Sequence, residues 1–214
     1  MSNTRKIILA VIVLSFAAGA YFYPSMPELM ASHWGGNGNV NGYMSKFWAL
    51  FLMPLMALAI FLLFLGLPKI DPLKANYAKF QKYYDGFLAT FVAFMAYIYS
   101  LTILFNKGIE FNMTAALIPA MAILFYAVGM VLENTKQNWF IGIRTPWTLS
   151  SEKVWDKTNK LGAKFFKIFA LLSLVLILFG DAGLMILVAI IIIPSFYLIL
   201  YSYLEFRNET HENN

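Results

Sequence analysis

Six long stretches without a charged residue dominate this chain and decide what it can fold into. They cover residues 7–27, 47–68, 86–106, 111–132, 168–180 and 182–204. All but the stretch at 168–180 reach the roughly 20 residues that a helix needs to cross the hydrocarbon core of a bilayer. That stretch reaches the same length when it is extended back to Ala163, because Lys164 and Lys167 can carry their amines to the membrane surface.

These stretches predict an all-α membrane protein with six transmembrane helices in one domain, residues 1–214. The predicted spans are about 6–24, 47–68, 86–106, 111–132, 163–180 and 182–204. Composition agrees, because 60% of the residues are hydrophobic and only 13% are charged, whereas soluble domains have close to half and a quarter. The chain has no cysteine, which excludes disulfides and thiolate metal sites. We therefore expect a multi-pass protein of the plasma membrane.

The distribution of Lys and Arg predicts the orientation, because cytoplasmic loops are enriched in both. If the N-terminus is cytoplasmic, Lys46 and Lys107 face outward, and the other 14 of the 16 Lys and Arg residues face inward. Both termini are therefore expected inside. The polar segment 24–46 then lies outside, and the segments 69–85 and 133–162 lie inside.

An alternative stays open at the N-terminus. Arg5 and Lys6, the apolar run that follows and Ala18-Gly19-Ala20 also resemble a cleavable secretory signal. The apolar run is longer than such signals usually have, which favours a retained helix. Cleavage would leave the other five spans in the same orientation.

Both inner segments are predicted to carry amphipathic helices on the membrane surface. In the first, Asp71 before Pro72 is a start signal for a helix, and in the second Ser150 or Ser151 can cap one. Apolar positions then recur at helical spacing: Leu73, Tyr77, Phe80 and Tyr84 in the first helix, and Val154, Thr158, Leu161 and Phe165 in the second.

A basic stripe runs beside the second apolar stripe and consists of Lys153, Lys157, Lys160, Lys164 and Lys167. Such a stripe favours contact with anionic lipids of the inner leaflet, at about 1 kcal/mol per Lys. The same face could instead dock an acidic or helical cytoplasmic partner. Direct binding of nucleic acid is not expected, since no nucleic-acid-binding fold accompanies the lysines.

The outer segment has the sequence HWGGNGNVNGYMSK, residues 33–46. Its glycines and asparagines favour turns, and its aromatic residues suit a membrane surface. A compact, ordered loop explains the segment without a ligand. The alternative is a lid that binds a peptide or a lipid, with these candidate residues: His33, Trp34, Gly38, Gly42, Tyr43 and Lys46.

The inner segment 138–155 is polar and lies between two apolar stretches. Thr145-Pro146 favours extended backbone, and Arg144 can pair with a phosphate, a carboxylate or helix-end carbonyls. Trp139, Trp147 and Trp155 are predicted to lie at the level of the lipid headgroups. One interpretation is a structural plug against the helix ends, and the other is a binding site for a lipid headgroup or a protein. The candidate residues are Asn138, Gly142, Arg144, Thr145, Pro146, Trp147 and Trp155.

An enzyme is not expected. The two histidines, His33 and His211, fall on opposite sides of the membrane, and no nucleophile elbow, zinc-binding helix or P-loop occurs. The sequence therefore predicts no catalytic residue, no cofactor and no metal. The six spans contain no Asp, Glu, Arg or His, which disfavours a proton-coupled transporter.

Three groups of residues resemble the SdpI-type family of membrane immunity proteins. The inner segment contributes GIRTPWTL at 142–149 followed by Val154-Trp155 and Thr158. The outer segment contributes Pro27, His33-Trp34, Gly38, Gly42-Tyr43 and Lys46, and the first inner segment contributes PKIDP at 68–72 with Asn76. The sequence departs from the family where Asn159 follows Thr158 in place of the usual His, and where Glu133 precedes Asn134 in place of the usual Gly.

The resemblance implies a six-helix membrane protein that protects a cell from a secreted toxic peptide. In the best-known member of the family the protein also signals, by holding a cytoplasmic repressor at the membrane. It implies that Arg144, Thr145, Pro146 and Trp147 belong to a functional inner loop. The alternative function is a structural or lipid-binding membrane protein without a peptide ligand.

Overall fold

A computed structural model describes residues 2–212 of the chain as seven α-helices and one β-hairpin. The helices are α1 (Asn3–Phe22), α2 (Lys46–Ile70), α3 (Tyr77–Asn106), α4 (Met113–Asn134), α5 (Pro146–Ser150), α6 (Glu152–Leu176) and α7 (Gly180–Glu212), and the strands are β1 (Leu29–Trp34) and β2 (Val40–Ser45). Met1, Asn213 and Asn214 of the predicted domain lie outside the described residues.

Five helical segments of the described chain are long and apolar enough to cross a membrane: Asn3–Ser25, Lys46–Ile70, Lys74–Asn106, Met113–Asn134 and Met185–His211. They coincide with five of the six predicted spans. The prediction of an all-α, multi-pass membrane protein is therefore confirmed, with a small β-hairpin added.

The remaining predicted span, 163–180, differs from the observed helix. Helix α6 begins at Glu152 and ends at Leu176, and a short 3₁₀ turn follows it. The predicted surface helix and the first part of the predicted span are thus one continuous helix, which carries lysines on one side and apolar residues on the other. This helix is not among the five candidate spans. A sixth span and the orientation of the termini stay predictions.

The first inner segment also differs from its prediction. An α-helix does not begin at Pro72, because residues 72–73 form a turn, Lys74–Asn76 form a single 3₁₀ turn and α3 starts at Tyr77. Asp71 instead accepts a hydrogen bond from the backbone N–H of Leu73 (2.7 Å). The backbone of α3 is non-helical at Phe80 (φ −130°, ψ 17°), and the helix then continues into the span. No separate surface helix forms there. Three of the four predicted apolar positions are buried, namely Tyr77, Phe80 and Tyr84, and Leu73 is half-buried.

Helices α1, α2 and α3 pack around one apolar cluster. Ile8 and Ile12 of α1 are at most 2% exposed, and they meet small and large side chains of the other two helices. The partners are Ala57, Phe61, Leu88, Val92 and Met95. The residues recur at intervals of three or four along each helix, which places them on one face. This cluster explains why three separate apolar stretches form one bundle.

Strands β1 and β2 form an antiparallel hairpin, in which Leu29 pairs with Ser45 and Ala31 pairs with Tyr43. The amide of Asn106, at the end of α3, accepts from the backbone N–H of Ala31 (2.8 Å) and donates to its carbonyl oxygen (3.0 Å). An amide side chain that bonds in this way takes the place of a neighbouring strand. The outer segment, predicted as a loop, is therefore a hairpin fastened to a helix.

The β-hairpin and the two inner polar segments lie at opposite ends of the bundle, because helices about 20 to 30 residues long separate them. We call the end that carries residues 29–45 the hairpin end. The opposite end, which carries residues 71–77 and 135–151, is called the loop end.

Candidate functional site

The loop end is organised around the side chain of Asn138, which is fully buried. Its Nδ2 donates to the carbonyl oxygens of Lys136 (2.7 Å) and Ile141 (2.8 Å), and its Oδ1 accepts from the backbone N–H groups of Phe140 (2.9 Å) and Ile141 (2.7 Å). A primary amide has two donors and one acceptor oxygen, so its whole capacity is used. Asn138 therefore holds the backbone of residues 136–141 in one conformation.

The carboxylate of Asp71 joins the two inner segments. It is 2% exposed, and its Oδ2 accepts from the backbone N–H of Trp139 (2.9 Å) and the hydroxyl of Tyr77 (3.0 Å). The same hydroxyl lies 3.3 Å from Oδ1 of Asn138. A buried carboxylate is tolerated where hydrogen bonds replace its hydration, and these bonds do so. The segments 71–77 and 138–139 consequently behave as one unit.

The backbone at Gly142 packs against two buried side chains of α6. Its φ is +132°, and a Cβ added there would lie 2.8 Å from the ring of Trp155 and 2.9 Å from Oδ1 of Asn159. That Oδ1 accepts from the backbone N–H of Ile143 (2.8 Å), and Nε1 of Trp155 donates to the carbonyl oxygen of Thr135 (3.2 Å). Trp155 is fully buried in the protein, where it anchors the loop. Its position at headgroup level stays a prediction.

Thr145 and Thr148 fasten the short helix α5. Each threonine hydroxyl oxygen accepts from the other residue's backbone N–H, at 3.2 and 2.8 Å, which forms a capping box. The hydroxyl of Thr145 also lies 3.0 Å from that of Ser202 on α7, and the ring of Trp147 is 5.2 Å from that of Tyr203. The loop is thereby attached to α7 as well as to α3 and α6.

The exposed residues of the segment 138–155 include Trp139, Arg144 and Pro146, which we call the Arg144 patch. Nη1 of Arg144 donates to the carbonyl oxygen of Trp139 (2.7 Å), and the Trp139 side chain is 50% exposed. Among the described side chains, no carboxylate forms an ion pair with Arg144. Since a guanidinium has five N–H donors, this one can still bind a phosphate or a carboxylate.

The lysine stripe of α6 is partly paired with acidic side chains. Lys157 forms an ion pair with Glu205 of α7, and Lys167 pairs with Glu133 of α4 (2.6 Å). Lys160 and Lys164 are exposed. At the start of α6, Ser151 accepts from the backbone N–H of Val154 and donates to Glu209, which confirms Ser151 as the predicted cap. Contact of the stripe with anionic lipid stays a prediction.

At the hairpin end, the predicted residues do not converge on one point. His33 is exposed, and its Nδ1 is hydrogen-bonded to Oδ1 of Asn41. Nζ of Lys46 instead pairs with Glu28 (2.7 Å) and lies 4.7 Å from the ring centroid of Tyr23. These contacts stabilise the base and the tip of the hairpin separately.

The other predicted residues of the hairpin have different surroundings. Gly38 has a φ of +83°, a conformation that glycine adopts without strain. Gly42 packs against the opposite strand, and Tyr43 is 65% exposed. Trp34 is half-buried, with its ring edge-on to that of Phe105 at 5.3 Å. Tyr43 is therefore available to a partner, whereas Trp34 faces into the protein.

Hydrogen bonds at the loop end were not predicted from the sequence for four further residues: Tyr77, Thr148, Asn159 and Ser202. Their hydrogen bonds join positions up to 61 residues apart, as Tyr77 does with Asn138. One signal was present in the sequence. Asn159 is a polar residue on the apolar side of an amphipathic helix, and such a residue requires a buried partner.

Comparison with known proteins gives two matches to sequence families. Residues 134–202 match the SdpI/YfhL protein family, and residues 10–58 match a domain of unknown function, DUF1648. The chain is 29% identical to the immunity protein SdpI of Bacillus subtilis (strain 168) over 204 residues, which cover 93% of this chain and 95% of the relative. No solved structure matches. The first family match contains the whole loop-end segment from Thr135 to Ser151.

Proposed function

The chain belongs to the SdpI-type family of multi-pass plasma-membrane proteins, and from that premise we propose that it confers immunity to a secreted toxic peptide. The peptide is recognised outside the cell, and the loop end reports to a cytoplasmic partner. The protein acts by binding, without catalysis. The observation that carries the proposal is the Arg144 patch, whose exposed cation has no carboxylate partner among the described side chains and lies on a loop held by buried hydrogen bonds.

The Arg144 patch has the composition of a protein-binding surface. Arginine and tryptophan are the residues that most often dominate the energy of protein interfaces. The backbone under the patch is fixed by Asp71, which binds the N–H of Trp139, and by Asn159, which binds the N–H of Ile143. A fixed backbone lowers the entropy lost on binding. This arrangement supports a partner that presents an acidic group beside an apolar one.

The charge distribution supports a cytoplasmic location for this patch. The loop end carries the lysine-rich segments at 69–82 and 136–167, while the hairpin end carries Lys46 and Lys107. By the positive-inside rule, the hairpin end then faces outward. There the exposed Tyr43 and His33 offer a ring and an imidazole to a peptide. Recognition outside and reporting inside therefore use opposite ends of the same bundle.

The test replaces Arg144 with Ala and uses Arg207→Ala as the matched control, because Arg207 is an exposed arginine near the end of α7. Cells producing each variant are challenged with the toxic peptide, and membrane levels of the protein are measured in parallel. We expect Arg144→Ala to lose protection or partner recruitment at an unchanged membrane level, and Arg207→Ala to retain both. Full protection and recruitment with Arg144→Ala would sink the proposal.

A second candidate function is a lipid-binding membrane protein without a peptide ligand. It is favoured by an apolar cavity at the hairpin end, lined by Trp34 and residues of α4, α6 and α7. Deletion of the gene distinguishes the candidates, since an immunity protein predicts sensitivity to the peptide and a lipid-binding protein does not.

A further inference from the structure

The edge of β2 that faces away from β1 is open. Within residues 2–212 the sheet has two strands. The outer edge of β1 is covered, because the amide of Asn106 on α3 bonds to the backbone of Ala31. Strand β2 packs chiefly against β1 and against α2, the helix that follows it directly. A strand with a row of unpaired N–H and C=O groups is a template for another strand.

The pairing of the two strands shows that Tyr43 directs its backbone to this edge. In an antiparallel pair, opposite residues alternate between pairs that exchange backbone hydrogen bonds and pairs whose N–H and C=O groups point outward. Ala31 lies opposite Tyr43 and gives its N–H to Asn106, on the side away from β2. This pair is therefore of the outward type, and the N–H and C=O of Tyr43 both point away from β1.

The end of β2 repeats this arrangement at Ser45. The N–H of Lys46 donates to the carbonyl oxygen of Glu28 (2.9 Å), which makes these two residues a bonded pair. The neighbouring pair, Leu29 with Ser45, is consequently of the outward type. The N–H of Ser45 thus points to the same edge as the backbone groups of Tyr43. Neither N–H has an acceptor in the part of the chain that the structure describes.

This part of the edge lacks the residues that usually keep a strand from pairing with another chain. Native proteins protect such edges with charged side chains or proline. Residues 40–45, VNGYMS, contain neither, and the adjacent Lys46 is paired with Glu28 (2.7 Å). The side chains of Tyr43 and Ser45 are exposed. The edge is therefore accessible, and its lack of charge suits an uncharged strand.

From these observations we propose that an extended, uncharged segment of the secreted peptide adds to the edge of β2 as a third strand. It forms two main-chain hydrogen bonds with Tyr43 and accepts one from the N–H of Ser45. Main-chain bonds supply the affinity in this mode of recognition, and the ring of Tyr43 packs against the side chain opposite. The inference rests on the proposed function and names how the peptide is held.

The variant that tests the edge is Ser45→Pro, which removes one outward N–H. The φ of Ser45 is −61°, the value that proline requires, and its hydroxyl makes no capping hydrogen bond. Proline is tolerated at an edge where its missing N–H would face solvent. The unfolding temperature should therefore stay that of the wild type. The matched control is Leu29→Pro, which places proline at the first residue of β1, in the same pair but on the opposite edge.

The probe is a synthetic form of the toxic peptide with which the Arg144→Ala cells are challenged, and it is added to full-length protein in nanodiscs. We expect Ser45→Pro to bind it at least about tenfold more weakly than the wild type or Leu29→Pro, because one bond is lost and the proline ring obstructs the incoming strand. Bound peptide should slow hydrogen exchange at Tyr43 and Ser45 in the wild type. Exchange at Met44, whose N–H points to β1, should not change.

Peptides methylated at one backbone nitrogen at a time give a second readout. The N–H groups of a strand alternate between its two edges, so binding should be lost at every second position of the bound segment. Equal binding by Ser45→Pro and the wild type, or methylation effects without alternation, would overturn strand addition while protection by the wild type upholds the immunity function. A wild type that neither protects cells nor binds the peptide would overturn both. A wild-type dimer that Ser45→Pro separates, with peptide binding unchanged, would assign the edge to a second copy and also overturn the proposal.

Discussion

The loop end and the hairpin end differ in how far their polar side chains are buried. At the loop end, side chains from four segments of the chain are buried and hydrogen-bonded to one another or to the backbone: Asp71, Thr135, Asn138, Thr145, Thr148, Asn159 and Ser202. At the hairpin end, His33 and Asn41 are exposed.

This contrast separates residues that hold the structure from residues that are free to recognise a partner. A buried polar group in a membrane protein is costly unless every donor and acceptor is satisfied. The loop-end side chains named above meet that condition, whereas the buried hydroxyl of Thr158 on α6 has no partner among the described residues. The Arg144 patch is exposed at the same end. The hairpin end depends on fewer long-range bonds, chiefly those of Asn106. Substitutions should therefore unfold the loop end more readily than the hairpin end.

The largest effect is expected for Asn138→Ala. Removing the amide takes the acceptor away from the N–H groups of Phe140 and Ile141. It leaves the carbonyl oxygens of Lys136 and Ile141 with the Thr135 hydroxyl alone. We expect the free energy of unfolding to fall by about 4 kcal/mol, since each unsatisfied buried group costs about 1–3 kcal/mol. Thermal unfolding in detergent and limited proteolysis of the loop measure the change.

The control for this prediction is Asn134→Ala. Asn134 is partly buried at the same end and donates one hydrogen bond, to the carbonyl oxygen of Met130, so its loss should cost about 1 kcal/mol. If the two variants unfold at the same temperature, Asn138 does not organise the loop.

The next effect is expected for Gly142→Ala. An added Cβ would meet the Trp155 ring and the Asn159 amide at less than 3 Å, in a backbone conformation with positive φ. We expect a loss of about 3 kcal/mol from strain and overpacking together, measured as a lower unfolding temperature.

Two other glycines separate these causes. Gly108 has a φ of +85° with open space around it, and Gly86 lies in α3 with open space and an ordinary helical φ. Gly108→Ala should cost about 1 kcal/mol from backbone strain alone, and Gly86→Ala should be neutral or stabilising. A Gly142→Ala variant no less stable than Gly108→Ala would show that the contact with Trp155 is loose.

A smaller effect is expected for Asn106→Ala at the hairpin end. The variant loses the two bonds to the backbone of Ala31, and water can replace part of what is lost because Asn106, unlike Asn138, is only half-buried. We expect a loss of about 1–2 kcal/mol, together with faster hydrogen exchange at Ala31. Exchange that stays as slow as in the wild type would mean that the pairing of β1 with β2 holds the hairpin by itself.

The success of the span prediction has a physical cause. Burying a charged side chain in a bilayer costs free energy, so membrane-spanning stretches contain few charged residues. Five of the six charge-free stretches coincide with candidate spans. The prediction was incomplete for α6, in which one continuous helix contains both a lysine-rich part and an apolar part. In α6 the lysines that lower its hydropathy lie on the same continuous helix as the apolar stretch from Ile168 onward, and the charge count divided it into two elements.

The arrangement of the loop end left little signal in the local sequence. The prediction that Asp71 caps a helix considered only its neighbours, whereas one of its oxygens binds Trp139, 68 residues away. The prediction for Trp155 considered only its residue type and did not foresee that Gly142 packs on its ring and that the side chain is buried in the protein. The strands were missed because the hairpin depends on Asn106, 75 residues from Ala31. Burial of this kind is decided by tertiary contacts.

The smallest effect is expected for Glu205→Gln, at the margin of the loop end. Glu205 pairs with Lys157 between α7 and α6, where the lysine side chain is 45% exposed, and pairs of this kind contribute about 0–1 kcal/mol. The unfolding temperature should therefore change little. Loss of this acidic partner should instead strengthen binding to vesicles that contain phosphatidylglycerol, because Lys157 belongs to the stripe predicted to contact anionic lipid. Gln in place of Glu209, which accepts a hydrogen bond from Ser151, gives the comparison, and equal vesicle binding by both variants and the wild type would count against a lipid contact at Lys157.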